Sequence, residues 1–155
     1  MAMYEEGPCF TVGVFQDAAW ASRGLSALAA EGFPPEALSI LAKQAPDVAD
    51  LMEETFGAGV EQSLVEVSGL GPALAHGALV ETLQGADNAL GASGVAATMR
   101  RAGFQAHDGF IFETLTARGG VLIAVAGEPR AADALALMHA YGGGNAAIGA
   151  WGGRV

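Results

Sequence analysis

FTVGVF at Phe10–Phe15, with DAAWASRGLSALAAEGF at Asp17–Phe33 behind it, repeats in outline as GGVLIAVAGEPRAADALALMHAYGG at Gly119–Gly143. Each stretch reads as a short apolar strand, a turn, an amphipathic helix and a glycine stop. Thr11–Phe15 and Val121–Ala126 lack a polar face, which predicts strands covered on both sides. Asp17 suits an N-cap, and Ala21, Leu25 and Leu28 share one helical face, flanked by Ala18 and Ala29. Gly32 fits the helix end. In the second unit Pro129 fits the first helical turn, and Ala131, Leu135 and Met138 face one way with Ala134 beside them.

Each unit runs on into another strand-like run, ALSILAK at Ala37–Lys43 and NAAIGAW at Asn145–Trp151. Two βαβ halves predict an α+β domain over 1–155, a ferredoxin-like split βαβ sheet of order 4-1-3-2. Strands one and three form its inner pair. A helical insertion over about 46–118 replaces the usual hairpin between strands two and three. Within it, Pro46–Phe56 reads as an acidic helix, and Val60–Val67 fits helix or strand. Ser68-Gly69-Leu70-Gly71-Pro72 is a turn with Pro72 at a helix start, and Ala73–Leu83 reads as a small-residue helix. Ser93 and Asp108 are the expected caps of two more helices.

The chain has 155 residues, 52% apolar and 15% charged, which argues against disorder. Its net charge is −10, from 17 acidic and 7 basic residues. No basic stripe serves nucleic acid, and the same charge opposes anionic lipid. The one cysteine, Cys9, cannot close an intrachain disulfide and fits a reducing compartment. The N-terminal MAMYEEGPCF lacks the pattern of a signal peptide. The best candidate span, Leu70–Leu90, is broken by Pro72, His76, Glu81 and Asp87. The expectation is a soluble cytoplasmic protein.

Candidate chemistry is sparse. His76, His107 and His139 lack the short spacing of a metal motif. His107 beside Asp108 reads as a turn residue next to a cap, and His139 suits a helix C-terminus. Gly69 and Gly71, with His76, form a weak candidate anion or ligand loop, as does Gly142–Asn145. Ser22, Ser26, Ser63 and Ser93 lack a GxSxG setting. Asp47, Asp50, Glu53 and Glu54 make a solvated acidic face. No catalytic, metal or cofactor residue is predicted. Trp20 lies about 100° around its helix from the buried stripe. A large aromatic there is either a candidate interface anchor, with Leu137 and Tyr141 as weaker companions on the last helix, or a residue that the helical insertion folds over.

VGVFQD at Val12–Asp17, AAEGFPPEALSILAK at Ala29–Lys43, GLGPALA at Gly69–Ala75 and RGGVLIAVAGEPRAADALALM at Arg118–Met138 give a further indication. In this order and spacing the chain resembles the bacterial general stress protein 17M-like family, also described as the heat-induced stress protein domain. The resemblance covers nearly the whole chain. It implies a stress-associated bacterial protein without enzymatic activity and supplies no catalytic residues.

Together these features predict a non-enzymatic structural or interaction protein that self-associates, as a homodimer or larger homo-oligomer, or docks on a protein partner. The alternative is a small-ligand-binding or sensor domain with its site at a sheet or dimer interface, an analogy at the level of the fold.

Overall fold

Phe10–Phe15 forms strand β1, and Asp17 starts helix α1 (Ala18–Ala30) by accepting the Trp20 N–H on Oδ1 at 2.9 Å. A short 3-10 turn at Pro35–Ala37 leads into strand β2 (Leu38–Lys43). Helix α2 follows at Pro46–Phe56. Strands β3 (Ser63–Val67) and β4 (Gly71–His76) form a hairpin. Helices α3 (Ala78–Gln84), α4 (Ala89–Arg101) and α5 (Ala106–Ala117) come next, then strand β5 (Val121–Ala126) and helix α6 (Ala131–Ala140). This computed structural model describes residues 10–57, 63–127 and 130–143.

Among the described residues the sheet has five strands in the order β1-β5-β2-β4-β3, and each of these pairings is antiparallel. That order corrects the expected 4-1-3-2 arrangement. β5 does lie beside β1, but it also pairs with β2, and β2 is no edge because β4 adds beyond it. The expected fourth strand, Asn145–Trp151, lies outside the described residues.

The reason for the difference is local. Ala73–Leu83 is not one helix: Gly71–His76 is extended, and α3 starts only after Gly77. Alanine favours helix, but pairing on both sides of β4 outweighs that weak preference. Pro72 opens no helix. It sits opposite Glu66 in the hairpin, and its carbonyl accepts the Gln44 N–H on the β2 side at 3.0 Å. The N–H and C=O of a strand residue face one way, so Pro72 meets β3 at a non-hydrogen-bonded position, and the N–H it lacks would have faced β2 just beyond the end of their paired register, Lys43 opposite Ala73.

Helices cover both faces. Phe15, Leu38, Ile40, Ile123, Val125 and Leu74 point to the side packed by α1, α2 and α6. Val12, Val14, Leu41, Leu122, Ala124 and Ala73 point to the side packed by α3, α4 and α5. The excursion is therefore half of the fold. Its helices also start differently from expectation. α4 begins at Ala89, earlier than expected, and Gly94 (φ 91°, ψ −178°) breaks it into two stretches, the second of which starts beside Ser93 as expected. Glu113 Oε2, from α5, accepts the Ala96 N–H just beyond that break at 3.4 Å. α5 is preceded by Gln105 as its cap residue, not Asp108. On α6, Ala134 and Met138 are buried, whereas Leu135 faces outward. Pro129 lies outside the described residues.

One close approach ties the two halves together. The buried Ser39 hydroxyl on β2 accepts the Leu79 N–H of α3 at 2.9 Å. Gly77 makes this possible at φ 121°: a Cβ there would fall 2.5 Å from the Ser39 Cα and 2.6 Å from the Leu38 carbonyl oxygen. Gly77→Ala should lose about 2–4 kcal/mol from strain and overpacking, and Ser39→Ala about 1–3 kcal/mol from the orphaned N–H. Gly57 has a similar backbone, φ 96° and ψ 155°, but open space around it, so Gly57→Ala should lose only the strain part, about 1–3 kcal/mol and less than Gly77→Ala. Urea unfolding midpoints measure all three, and equal losses at Gly77 and Gly57 would show that the close approach is not the constraint.

Candidate functional site

Trp20 opens onto a cleft between the start of α1 and the end of α6. Its other walls are Gln16, His139, Ala140 and Gly142, and it holds about 230 Å³. α1 and α6 lie antiparallel. At one end Trp20 meets Gly142; at the other Arg130, just before α6, donates to the Glu31 carbonyl at 2.6 Å. The Arg130 guanidinium also lies over the Phe33 ring at 4.3 Å and pairs with Asp133 at 3.3 Å.

Trp20 is 37% exposed, a large fraction for an indole. Of the helices in the excursion, α3, α4 and α5 pack on the opposite face of the sheet, and α2, on the same face, meets α1 through Ser22 and Glu54 rather than over the indole. The Arg23 guanidinium stands over the ring, 4.7 Å from its centroid, which suits a cation–π contact. Leu135 on α6 is 38% exposed, one turn before His139 on the same side of that helix. Leu137 and Tyr141 are half-buried and pack on the core below. Of the expected interface residues, Trp20 is thus the exposed one, and Leu137 and Tyr141 support the surface.

The weak loop candidate does not assemble. Gly69 and Gly71 shape the β3–β4 turn, where the Leu70 N–H is taken by the Val67 carbonyl at 2.9 Å. The Glu113 carboxylate lies near Gly69, an unfavourable neighbour for an anion. His76 is at the far end of β4, five residues from Gly71 and so about 17 Å away. Its ring packs on Phe56 with centroids 4.3 Å apart. It stands on a strand, not on the expected helix.

The other candidates are dispersed. His107 is exposed at the start of α5. The Ser22 hydroxyl donates to Glu54 at 3.0 Å, tying α1 to α2. Asp47, Asp50 and Glu54 line an open groove beside Ser22. Among the described residues, no group of three or more His, Cys, Asp or Glu side chains is placed to hold a metal ion. Cys9, the Ser63 side chain, Gly144 and Asn145 lie outside the described residues. No helix among the described residues is long and apolar enough to cross a membrane.

Sequence reasoning reached Trp20 but not Gln16, Leu135 or the Arg130 clamp. Arg130 and Glu31 are 99 residues apart, so no local spacing signals their pairing.

No protein-family model matches the chain, and no curated protein or solved structure shows significant similarity to it.

Among the described residues, one electrostatic contact pulls a pKa clearly away from its usual value, and it links two helices of the opposite layer. Arg101 Nη1 pairs with Asp87 at 3.1 Å, and its Nη2 donates to the Leu83 carbonyl at 3.1 Å, fastening α3 to α4. The hydrogen bond from Arg101 holds the Asp87 carboxyl below the ordinary value of 3.8. A depressed folded pKa means the pair stabilises the fold above the ordinary aspartate range, and that help fades as pH falls through the folded value. Carbon-detected NMR titration should find Asp87 below the usual range in the wild type and back within it in Arg101→Gln. An unchanged Asp87 titration in that variant would show that the contact is not populated in solution.

Proposed function

We propose that this chain is a non-enzymatic interaction domain that docks on protein, a second copy or another polypeptide, through the α1/α6 face around Trp20. The observation that carries the reading is the indole itself: exposed, braced by Arg23 and set beside a cleft. Tryptophan and arginine dominate the energetic centres of protein interfaces. Phe110 on α5 is more exposed, at 60%, but Ala106 and His107 beside it are exposed as well, whereas Trp20 lines a defined cleft. A stress association in the bacterial cytoplasm accords with this reading and rests on the resemblance to the general stress protein 17M-like family carried by Val12–Asp17, Ala29–Lys43, Gly69–Ala75 and Arg118–Met138.

The second reading is a small-ligand site in the same cleft, favoured by the indole, imidazole and amide that converge there. Its volume falls below the roughly 300–1,000 Å³ of typical ligand pockets, so the protein-docking reading stands first. A photo-crosslinking amino acid at position 20 should trap a polypeptide in living cells, and the same group at position 110 should not. Trapping at 110 alone would move the docking face to α5. Trapping at neither position, with a metabolite retained through native mass spectrometry and lost in Trp20→Ala, would favour the ligand site.

A further inference from the structure

We infer that the polypeptide docking at Trp20 is a second copy of this chain, with α1 packed antiparallel on α1 of its mate across a two-fold axis at Trp20. This rests on the docking role proposed for that face and gives it a partner. The argument is one of charge and spacing. Asp17, Trp20 and Arg23 follow one another at intervals of three residues and are all exposed. On an α-helix each interval climbs about 4.5 Å and turns the side chain by about 60°. The three therefore occupy one outward arc with the indole at its centre, an anion on one side and a cation on the other. A two-fold axis through Trp20 reverses the second helix. Arg23 of each copy then faces Asp17 of the other, and the two indoles meet at the axis. A closed two-fold contact needs such a self-complementary patch.

Both charges are already in place. Asp17 is fixed as the N-cap, with Oδ1 held by the Trp20 N–H. Arg23 is held over the indole. The cleft offers room beside the axis: its roughly 230 Å³ exceeds the ~150 Å³ of an engineered cavity that binds benzene, enough for part of the mate's ring. The rest of this layer is unsuited to self-pairing. α2 presents Asp47, Asp50, Glu53 and Glu54, and two such faces repel in a chain whose net charge is −10. At the other end of the sheet, a Cβ on Gly91 would sit 3.0 Å from the Glu66 carbonyl oxygen, so α4 covers the outermost strand, β3, at that residue.

Sedimentation equilibrium over about 1–200 µM tests the inference. Wild-type protein should dimerise. Trp20→Ala and Arg23→Glu should each raise the dimer Kd about tenfold or more. Asp17→Asn retains a good N-cap and removes the charge, so adding it to Arg23→Glu should recover part of the lost affinity. Circular dichroism on each variant checks that the fold is kept. A wild-type monomer across the range overturns the inference, as does a dimer indifferent to Arg23→Glu and Trp20→Ala. If a monomeric protein still crosslinks a foreign polypeptide from position 20, the second copy is excluded and the docking role survives.

Discussion

Val121, Leu122, Ile123, Ala124 and Val125 are all buried, so β5 needs apolar cover on both sides of the sheet. Each large aliphatic side chain gains about 1.5–3 kcal/mol on burial, and leaving either face bare would forfeit half of that row. β5 sits between β1 and β2 and sets their register, Phe15 opposite Val121 and Ile40 opposite Ile123. A single helical layer cannot satisfy such a strand. The two βα units supply α1 and α6 for one side only. The other side has to come from elsewhere in the chain, and α3, α4 and α5 provide it.

The excursion between β2 and β5 follows from that requirement. It turns back as the β3–β4 hairpin, widens the sheet beyond β2, and then returns as three helices beneath it. Gly77 and Ser39 mark the crossing point, where the chain passes from sheet to helical layer within a few ångströms of β2. On the opposite side, Gly24 of α1 rests on the Phe15 ring: a Cβ there would come within 2.7 Å of it. That approach sets the rotation of α1. With Gly24, Leu25 and Leu28 turned inward, Trp20 and Arg23 turn out. The core packing of β1 thus determines which side chains the α1/α6 face presents.

Much of the first layer was legible in the sequence. β1, β2, β5, α1, α2 and α6 stand where their apolar runs placed them, with Asp17 capping α1 and Pro46 opening α2, because each pairs a local signal with a buried face. The middle was not, and the misreading is specific. GPALAH combines a proline, which marks helix starts, with alanines, which favour helix, and nothing local reveals that β2 waits to pair with it. Leu135 shows the reverse: periodicity placed it inward, yet Ala134 and Met138 take the core positions of α6. Trp20 was legible as the odd large residue off the buried stripe. Its cleft was not, since Gly142 and His139 arrive from more than a hundred residues away.

Asp17 couples the fold of α1 to the surface that α1 presents. Its carboxylate satisfies an N–H that the helix leaves unpaired, and the N–H belongs to Trp20. The residue that starts the helix therefore also fixes the backbone beneath the indole, and the indole in turn carries Arg23. Side chains as long as arginine lose about 1.5–2 kcal/mol of rotamer freedom when immobilised. A guanidinium already resting on an aromatic ring has given up part of that freedom before any partner arrives. The same logic distinguishes Trp20 from Phe110. Both expose aromatic surface, but Phe110 orders no neighbouring charge, whereas Trp20 is held from below by a cap and holds a cation above. An exposed ring alone supplies area. A ring that pre-orders a charge on each side supplies area with direction, which is what a specific interface requires and a merely sticky surface lacks.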